Sequence, residues 1–164
     1  MQRCGPLTRI VSGGQTGVDR AALDVALRLG LACGGWCPKG RKAEDGPLRE
    51  RYPLKETPSA AYAQRTRWNV RDSDGTMALN RGTLRGGTAM TVELARRLRK
   101  PCLILDLDTP ADKTTIRKWL AVSGIEVLNV AGPRESQQPG IYRQTSAFLE
   151  NSLTPKRVNF IVVP

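Results

Sequence analysis

Apolar residues fall along this chain in two alternating rhythms, short continuous runs and stripes at helical spacing, which predict strands and helices in turn. Thr8-Arg9-Ile10-Val11-Ser12 reads as a buried strand, and after a glycine-rich loop Val18, Ala22, Val25 and Leu29 recur at the spacing of one helix face. Thr16 and Asp19 stand in the relation of a capping box and Gly30 supplies a stop, so about three turns are marked at both ends. Residues 31–37 predict a second strand, and 38–53 a polar connection too long for a simple turn. Thr57, with Pro58 at the first helical position, starts a helix to about Trp68; Asp72-Ser73-Asp74-Gly75 is a turn, and Thr76-Met77-Ala78-Leu79 a third strand.

The strand-loop-helix unit then recurs. Gly82 to Gly87 leads into Thr88 and a helix with Met90, Leu94 and Leu98 on one face, closed by Lys100-Pro101. Residues 102–107 are nearly all apolar, as in a parallel strand covered on both faces, and this strand is expected to be central. Asp108-Thr109-Pro110 opens a helix through Ile116, Trp119 and Leu120 to Gly124; residues 125–130 form a fifth strand, 141–153 a last helix, and 158–163 an added edge strand. The whole predicts one α/β domain over residues 1–164, a Rossmann-like doubly wound, mostly parallel sheet with helices on both faces. In the order 2-1-3-4-5 the first and third strands are neighbours where the winding reverses, the place where such folds bind ligands.

Those two strands precede the two glycine loops. Gly13, Gly14, Gln15, Thr16 and Gly17 form the first, and Arg85, Gly86, Gly87 and Thr88 end the second. A Cβ would obstruct approach of backbone to phosphate, and the unpaired amides of a helix N-terminus favour negative charge. Lys39, Arg41 and Arg134 each follow a strand and join Arg85 as cations expected around the pocket. No Gly-Lys-Ser/Thr occurs, so a Walker loop is excluded. The first loop is one glycine short of the dinucleotide fingerprint, and Trp36-Cys37-Pro38-Lys39 stands where an acidic residue would meet a ribose, which argues against NAD.

Composition narrows the chemistry. The 164 residues include no histidine, which removes imidazole bases, Ser-His and Cys-His dyads and histidine ligands. Cys4, Cys33, Cys37 and Cys102 are too scattered for a disulfide framework, and no Cys pair has zinc spacing, so free thiols and no resident metal are expected. Asp72 and Asp74 offer oxygens for magnesium beside a phosphate, although a turn explains them more simply. No apolar run approaches membrane-spanning length, so the expectation is a cytoplasmic protein without a membrane partner. The net charge of +11 is concentrated in residues 61–100, with nine basic against three acidic residues, a field that gathers anions such as phosphorylated metabolites or nucleic acid.

Four segments carry a family resemblance: Ser12-Gly13-Gly14-Gln15-Thr16-Gly17-Val18-Asp19-Arg20; Gly34-Gly35-Trp36-Cys37-Pro38-Lys39-Gly40-Arg41-Lys42-Ala43-Glu44-Asp45-Gly46; Gly82-Thr83 with Gly86-Gly87-Thr88; and Asn129-Val130-Ala131-Gly132-Pro133-Arg134-Glu135-Ser136. The chain resembles, over nearly its whole length, the putative molybdenum carrier family, a YpsA-like branch of the SLOG superfamily. The resemblance implies a Rossmann-like fold, a homo-oligomer, and a pocket for a nucleotide-like or pterin-phosphate ligand, with molybdenum cofactor as the ligand suggested by the family's name. Cys37 would then be a soft ligand to molybdenum, a pocket wall or a buried strand-end residue.

A more distant resemblance is to LOG-type phosphoribohydrolases, whose Pro-Gly-Gly-x-Gly-Thr-x-x-Glu motif holds a catalytic glutamate. Glu93 falls at that position, while Arg85, Ala89 and Met90 replace the motif's leading Pro, third Gly and Thr. The leading expectation is a carrier for an anionic, phosphate-bearing small molecule. The alternatives are a hydrolase of a nucleotide glycosidic bond using Glu93 as acid or base, and a nucleic-acid binder using the basic middle segment.

Overall fold

The computed structural model describes residues 6–109 and 112–154. In chain order its elements are β1 (Arg9–Val11), α1 (Val18–Leu29), β2 (Ala32–Gly34), β3 (Trp36–Cys37), β4 (Lys55–Glu56), α2 (Tyr62–Arg71), β5 (Gly75–Asn80), α3 (Gly86–Arg97), β6 (Cys102–Asp106), α4 (Lys113–Val122), β7 (Val127–Ala131) and α5 (Ile141–Leu153). Strands β2-β1-β7-β5-β6 form a parallel five-stranded sheet, and β3 and β4 pair separately. Helix α1 packs on α5 and α5 on α4, while α2 packs on α3. The result is the predicted Rossmann-like α/β architecture.

The strand order departs from the expected one. β7, the last of these strands in sequence, lies between β1 and β5, so the two strands that carry the glycine loops are not adjacent. Counting instead from β5, through β6, β7, β1 and β2, restores the order 2-1-3-4-5. The sheet is the expected one with its starting point moved around the chain. The winding therefore reverses between β5 and β7, and Thr76↔Asn129 and Ala78↔Ala131 are in register across that junction.

Burial explains the placement of strands. Every residue of β5 is buried, as are four of the five in β7, Leu128 to Ala131, which makes this pair the centre of the sheet. The predicted central strand, β6, is instead an edge among the described residues: there it pairs only with β5, and Ile104 is 39% exposed. Its apolar run satisfies the flanking helices but not its outer edge. The core gathers Ile10, Val18, Leu23, Met77, Leu79, Leu128 and Ile141.

Several boundaries differ for local reasons. The predicted strand 31–37 breaks at Gly35 (φ 120°), where an added Cβ would lie 2.6 Å from the Ser12 carbonyl oxygen, and the chain turns into β3. Helix α2 starts at Tyr62 rather than at Pro58, because the Thr57 hydroxyl donates to the carbonyls of Cys37 and Ser59 and holds that stretch non-helical. Helix α4 starts at Lys113, where the Asp112 carboxylate caps the amide of Thr114 at 2.8 Å. The strand expected at 125–130 begins at Val127, its amide donating to the Asp74 carboxylate. The strand expected at 158–163 lies outside the described residues. Among those residues no helix is long and apolar enough to cross a membrane.

Candidate functional site

Four helices, α1, α3, α4 and α5, follow strands of the main sheet and start near the carboxyl ends of those strands, and their N-termini differ in what satisfies their amides. At α1, the Thr16 amide donates to Gln15 Oε1, and the Val18 amide to the Pro133 carbonyl. At α5, the Glu135 carboxylate accepts from the amides of Gly140 and Tyr142. Asp112 caps α4. At α3 no side chain caps the helix, its first turn holds no acid, and the amides of Gly86, Gly87 and Thr88 meet no acceptor among the described residues. Of the four, α3 alone presents its positive end to the cleft.

The predicted capping box is not formed. Gly17 is the N-cap of α1 and makes no side-chain cap. The Thr16 hydroxyl donates to Glu44 and accepts from the Glu135 amide, and Asp19 turns to Arg65, 3.0 Å away. Asp19 is 2% exposed, and burial pushes its carboxyl above the ordinary range despite the Arg65 guanidinium. Removing either partner of such a buried pair strands a charge.

The glycines of the first loop make room for protein. A Cβ on Gly13 would meet the Arg65 guanidinium, on Gly14 the side chains of Leu54 and Leu48, and on Gly17 the Pro133 carbonyl at 2.4 Å. Gly86 and Gly87 are different, because a Cβ at either meets nothing within 4 Å. Gly87 and Thr88 line a pocket of about 70 Å³ together with Gln15, Asp19, Tyr62, Arg65, Thr66, Gly132 and Arg134. Gln137 lines both this pocket and a neighbouring chamber of about 370 Å³ walled by Asn80, Arg81, Thr83, Arg85 and Pro133. Pocket and chamber lie at the carboxyl ends of β5 and β7, the reversal point of the sheet.

Among the described residues, two donors at the pocket are buried without a partner, Gln15 Nε2 and Arg65 Nε, and Arg81 Nε at the chamber is a third. A buried N–H lacking an acceptor costs about 1–3 kcal/mol, an arrangement that a ligand acceptor would relieve. Arg134 stands over the Tyr62 ring at 4.8 Å and Arg65 at 5.9 Å, so a single ring contacts two guanidiniums at the pocket wall.

The other predicted residues lie elsewhere. Arg41 donates to the carbonyls of Leu48, Arg49, Tyr52 and Leu54, where it staples the 38–53 segment, and exposed Lys39 lines neither cavity. Glu93 is on the outer face of α3, paired with Arg97 at 2.8 Å. Asp72 accepts from the Trp36 ring nitrogen, and Asp74 from the amides of Glu126 and Val127. Trp36 meets Trp68 edge-on, with ring centroids 4.6 Å apart. Cys37 is fully buried, and burial pushes its thiol up. Among the described residues no three Cys, Asp or Glu groups stand together as metal ligands.

Tyr62, Arg65 and Thr66 were not among the residues expected at the site. The signal was present in the sequence, since Tyr62, Arg65, Thr66 and Asn69 form a polar stripe at helical spacing, and Thr66 and Asn69 are buried. A helix whose inward face is polar faces a polar site. Glu44 was also missed as an organiser. Its amide donates to Gln15 Oε1 at 2.8 Å, and its carboxylate accepts from the hydroxyls of Thr16 and Ser136. Burial alone would raise the Glu44 carboxyl, but these donors outweigh it and hold the group below the ordinary range.

Comparison with known proteins bears on the fold and the family. No curated protein shows a significant match. A crystal structure titled "Putative molybdenum carrier protein", from Syntrophus aciditrophicus SB, is 48% identical, covers 90% of this chain and 95% of its own, and superposes with a TM-score of 0.88. The model of the circularly permutated YpsA SLOG family matches residues 10–153, and a permutation is what a sheet ordered 2-1-3-4-5 from β5 onward displays. The chain belongs to the circularly permuted YpsA family of the SLOG group.

Proposed function

We propose that this protein is a binding or carrier protein for an anionic, phosphate-bearing small molecule held in the cleft between the ends of β5 and β7. The observation that supports this reading is the convergence on one pocket of an uncapped helix N-terminus, two partnerless buried donors and Arg134. The larger chamber beside it has room for the remainder of the ligand, bordered by Arg81 and Arg85. Molybdenum cofactor, through its pterin phosphate, and nucleotide derivatives belong to the class that fits, and the carrier name of the similar structure favours the former. Hydrolysis finds less support: Glu93 lies away from the cleft, and the acid that does line the pocket, Asp19, is committed to Arg65.

A thermal-shift series with AMP, ADP-ribose, sodium molybdate and molybdenum cofactor tests the proposal. A binding ligand raises the melting temperature in proportion to the logarithm of its concentration over Kd. No stabilisation by any of the four at millimolar concentration would sink it. Retardation of DNA or RNA that weakens steeply with salt, without a small-molecule effect, would favour the basic segment as a nucleic-acid surface instead. Size-exclusion chromatography with light scattering measures the self-association that the family resemblance implies.

A further inference from the structure

Gln15 is 4% exposed and forms part of the wall of the 70 Å³ pocket. An amide side chain has one accepting and one donating end, and which end faces a ligand sets the charge it prefers. Here the accepting end is committed twice. Oε1 takes the Thr16 amide at 3.1 Å and the Glu44 amide at 2.8 Å, so backbone donors fix the rotamer. Reversing the amide would set Nε2 against two N–H groups. The remaining end, Nε2, is buried without a partner among the described residues.

The neighbouring groups agree in polarity. Arg65 contributes a partnerless Nε, and α3 its free first-turn amides. Asp19, the one carboxylate in the wall among the described residues, accepts from Arg65 Nη1 at 3.0 Å and from the Gln15 backbone N–H at 3.4 Å, and so is turned to its own partners. At about 70 Å³ the pocket is of a size for one small group, such as a tetrahedral oxyanion, and not for a whole nucleotide.

We infer that Gln15 is the charge-selecting residue of this cleft: locked by Thr16 and Glu44 as a donor, it admits a single tetrahedral oxyanion group through its unprotonated oxygens. This rests on the proposed binding role and adds to it the chemistry of the inner subsite. The shared chemistry is that of a tetrahedral oxyanion, either the free inorganic ion or the head group of a phosphate monoester whose body lies in the outer chamber beyond Gln137. Glu44 acts through Gln15 as a positioning residue.

Isothermal titration with sodium molybdate and with AMP, on wild type, Gln15→Ala and Gln15→Glu, separates these cases. Loss of a hydrogen bond to a charged group predicts affinity about 10- to 100-fold weaker in Gln15→Ala. Gln15→Glu, nearly equal in shape, places a second carboxylate beside Asp19 and binds more weakly still. In the wild type, the Gln15 side-chain NH2 resonances, assigned by their loss in Gln15→Ala, shift on saturation with the probe that binds. Binding of molybdate alone identifies a free oxyanion, and binding of AMP a head group.

Wild-type affinity retained in Gln15→Glu, or NH2 resonances unmoved while a probe binds, overturns the role of Gln15 and leaves the binding role standing. A wild type that binds neither probe overturns the oxyanion subsite, and the binding role falls with it only if ADP-ribose and molybdenum cofactor also fail to stabilise the protein. Melting curves check folding of each variant, and the wild-type resonances remain decisive if Gln15→Glu does not fold.

Discussion

The two glycine loops of this protein look alike in sequence and do opposite work. In the loop before α1, each of Gly13, Gly14 and Gly17 makes space for another part of the same chain, and the helix amides behind it are bonded internally. In the loop before α3, Gly86 and Gly87 face open space, and the helix start is uncapped. A glycine-rich turn before a helix is therefore not in itself an anion site. What matters is whether the amides it exposes have already found acceptors.

The largest expected effect comes from breaking the packed side of this contrast. Arg65→Ala leaves Asp19 buried without its counter-ion and is expected to cost about 3–5 kcal/mol in urea denaturation, with Asp19→Asn added in the same chain recovering part of it. Gly17→Ala comes next. It requires an alanine at φ 75° with its Cβ 2.4 Å from the Pro133 carbonyl oxygen, and a loss of about 2–4 kcal/mol is expected. The equivalent change in the other loop, Gly87→Ala, alters stability by no more than about 1 kcal/mol, since helix propensity favours alanine and nothing is displaced. Equal losses at Gly17 and Gly87 would erase the distinction.

Gly87→Asp sharpens the comparison functionally. A carboxylate in the first turn suits the α3 dipole, so the fold is retained, yet it occupies the face proposed for the anion. The melting temperature without ligand should stay near that of wild type while ligand-dependent stabilisation disappears. The smallest effect concerns acidity. Because the Glu44 carboxyl is held low in the folded protein, its contribution is complete above the ordinary carboxylate pKa and is lost as pH falls through the lowered value. Faster exchange of the Thr16 and Glu44 amides on acidification, blunted in Glu44→Gln, is the expected signature.

Much of the fold was legible because the signals were local. The helix over Val18–Leu29 ended at Gly30 in the left-handed conformation, and Ile141–Leu153 matched its apolar periodicity. The Thr16 and Asp19 capping box was a misreading of real residues: their types suit a cap, but Glu44 and Arg65 compete for them across 28 and 46 positions of sequence. Arg41 illustrates the same limit, since a cation after a strand points to a ligand only when no carbonyls of its own loop claim it. The site half supplied by α2 escaped because its polar stripe marks burial without stating what it is buried against.

By itself, the sequence determined the alternation of strands and helices, the absence of imidazole chemistry, the positive field and the identity of both glycine loops. Those are properties of neighbouring residues and of composition, and neither needs a partner from elsewhere in the chain. The tertiary structure decided that β7 enters between β1 and β5, which of the two helix starts remains open, and that Gln15 commits its accepting oxygen to the amides of Thr16 and Glu44. Each of those depends on which distant group reaches a hydrogen-bonding atom first, and only the packed sheet brings the contenders together.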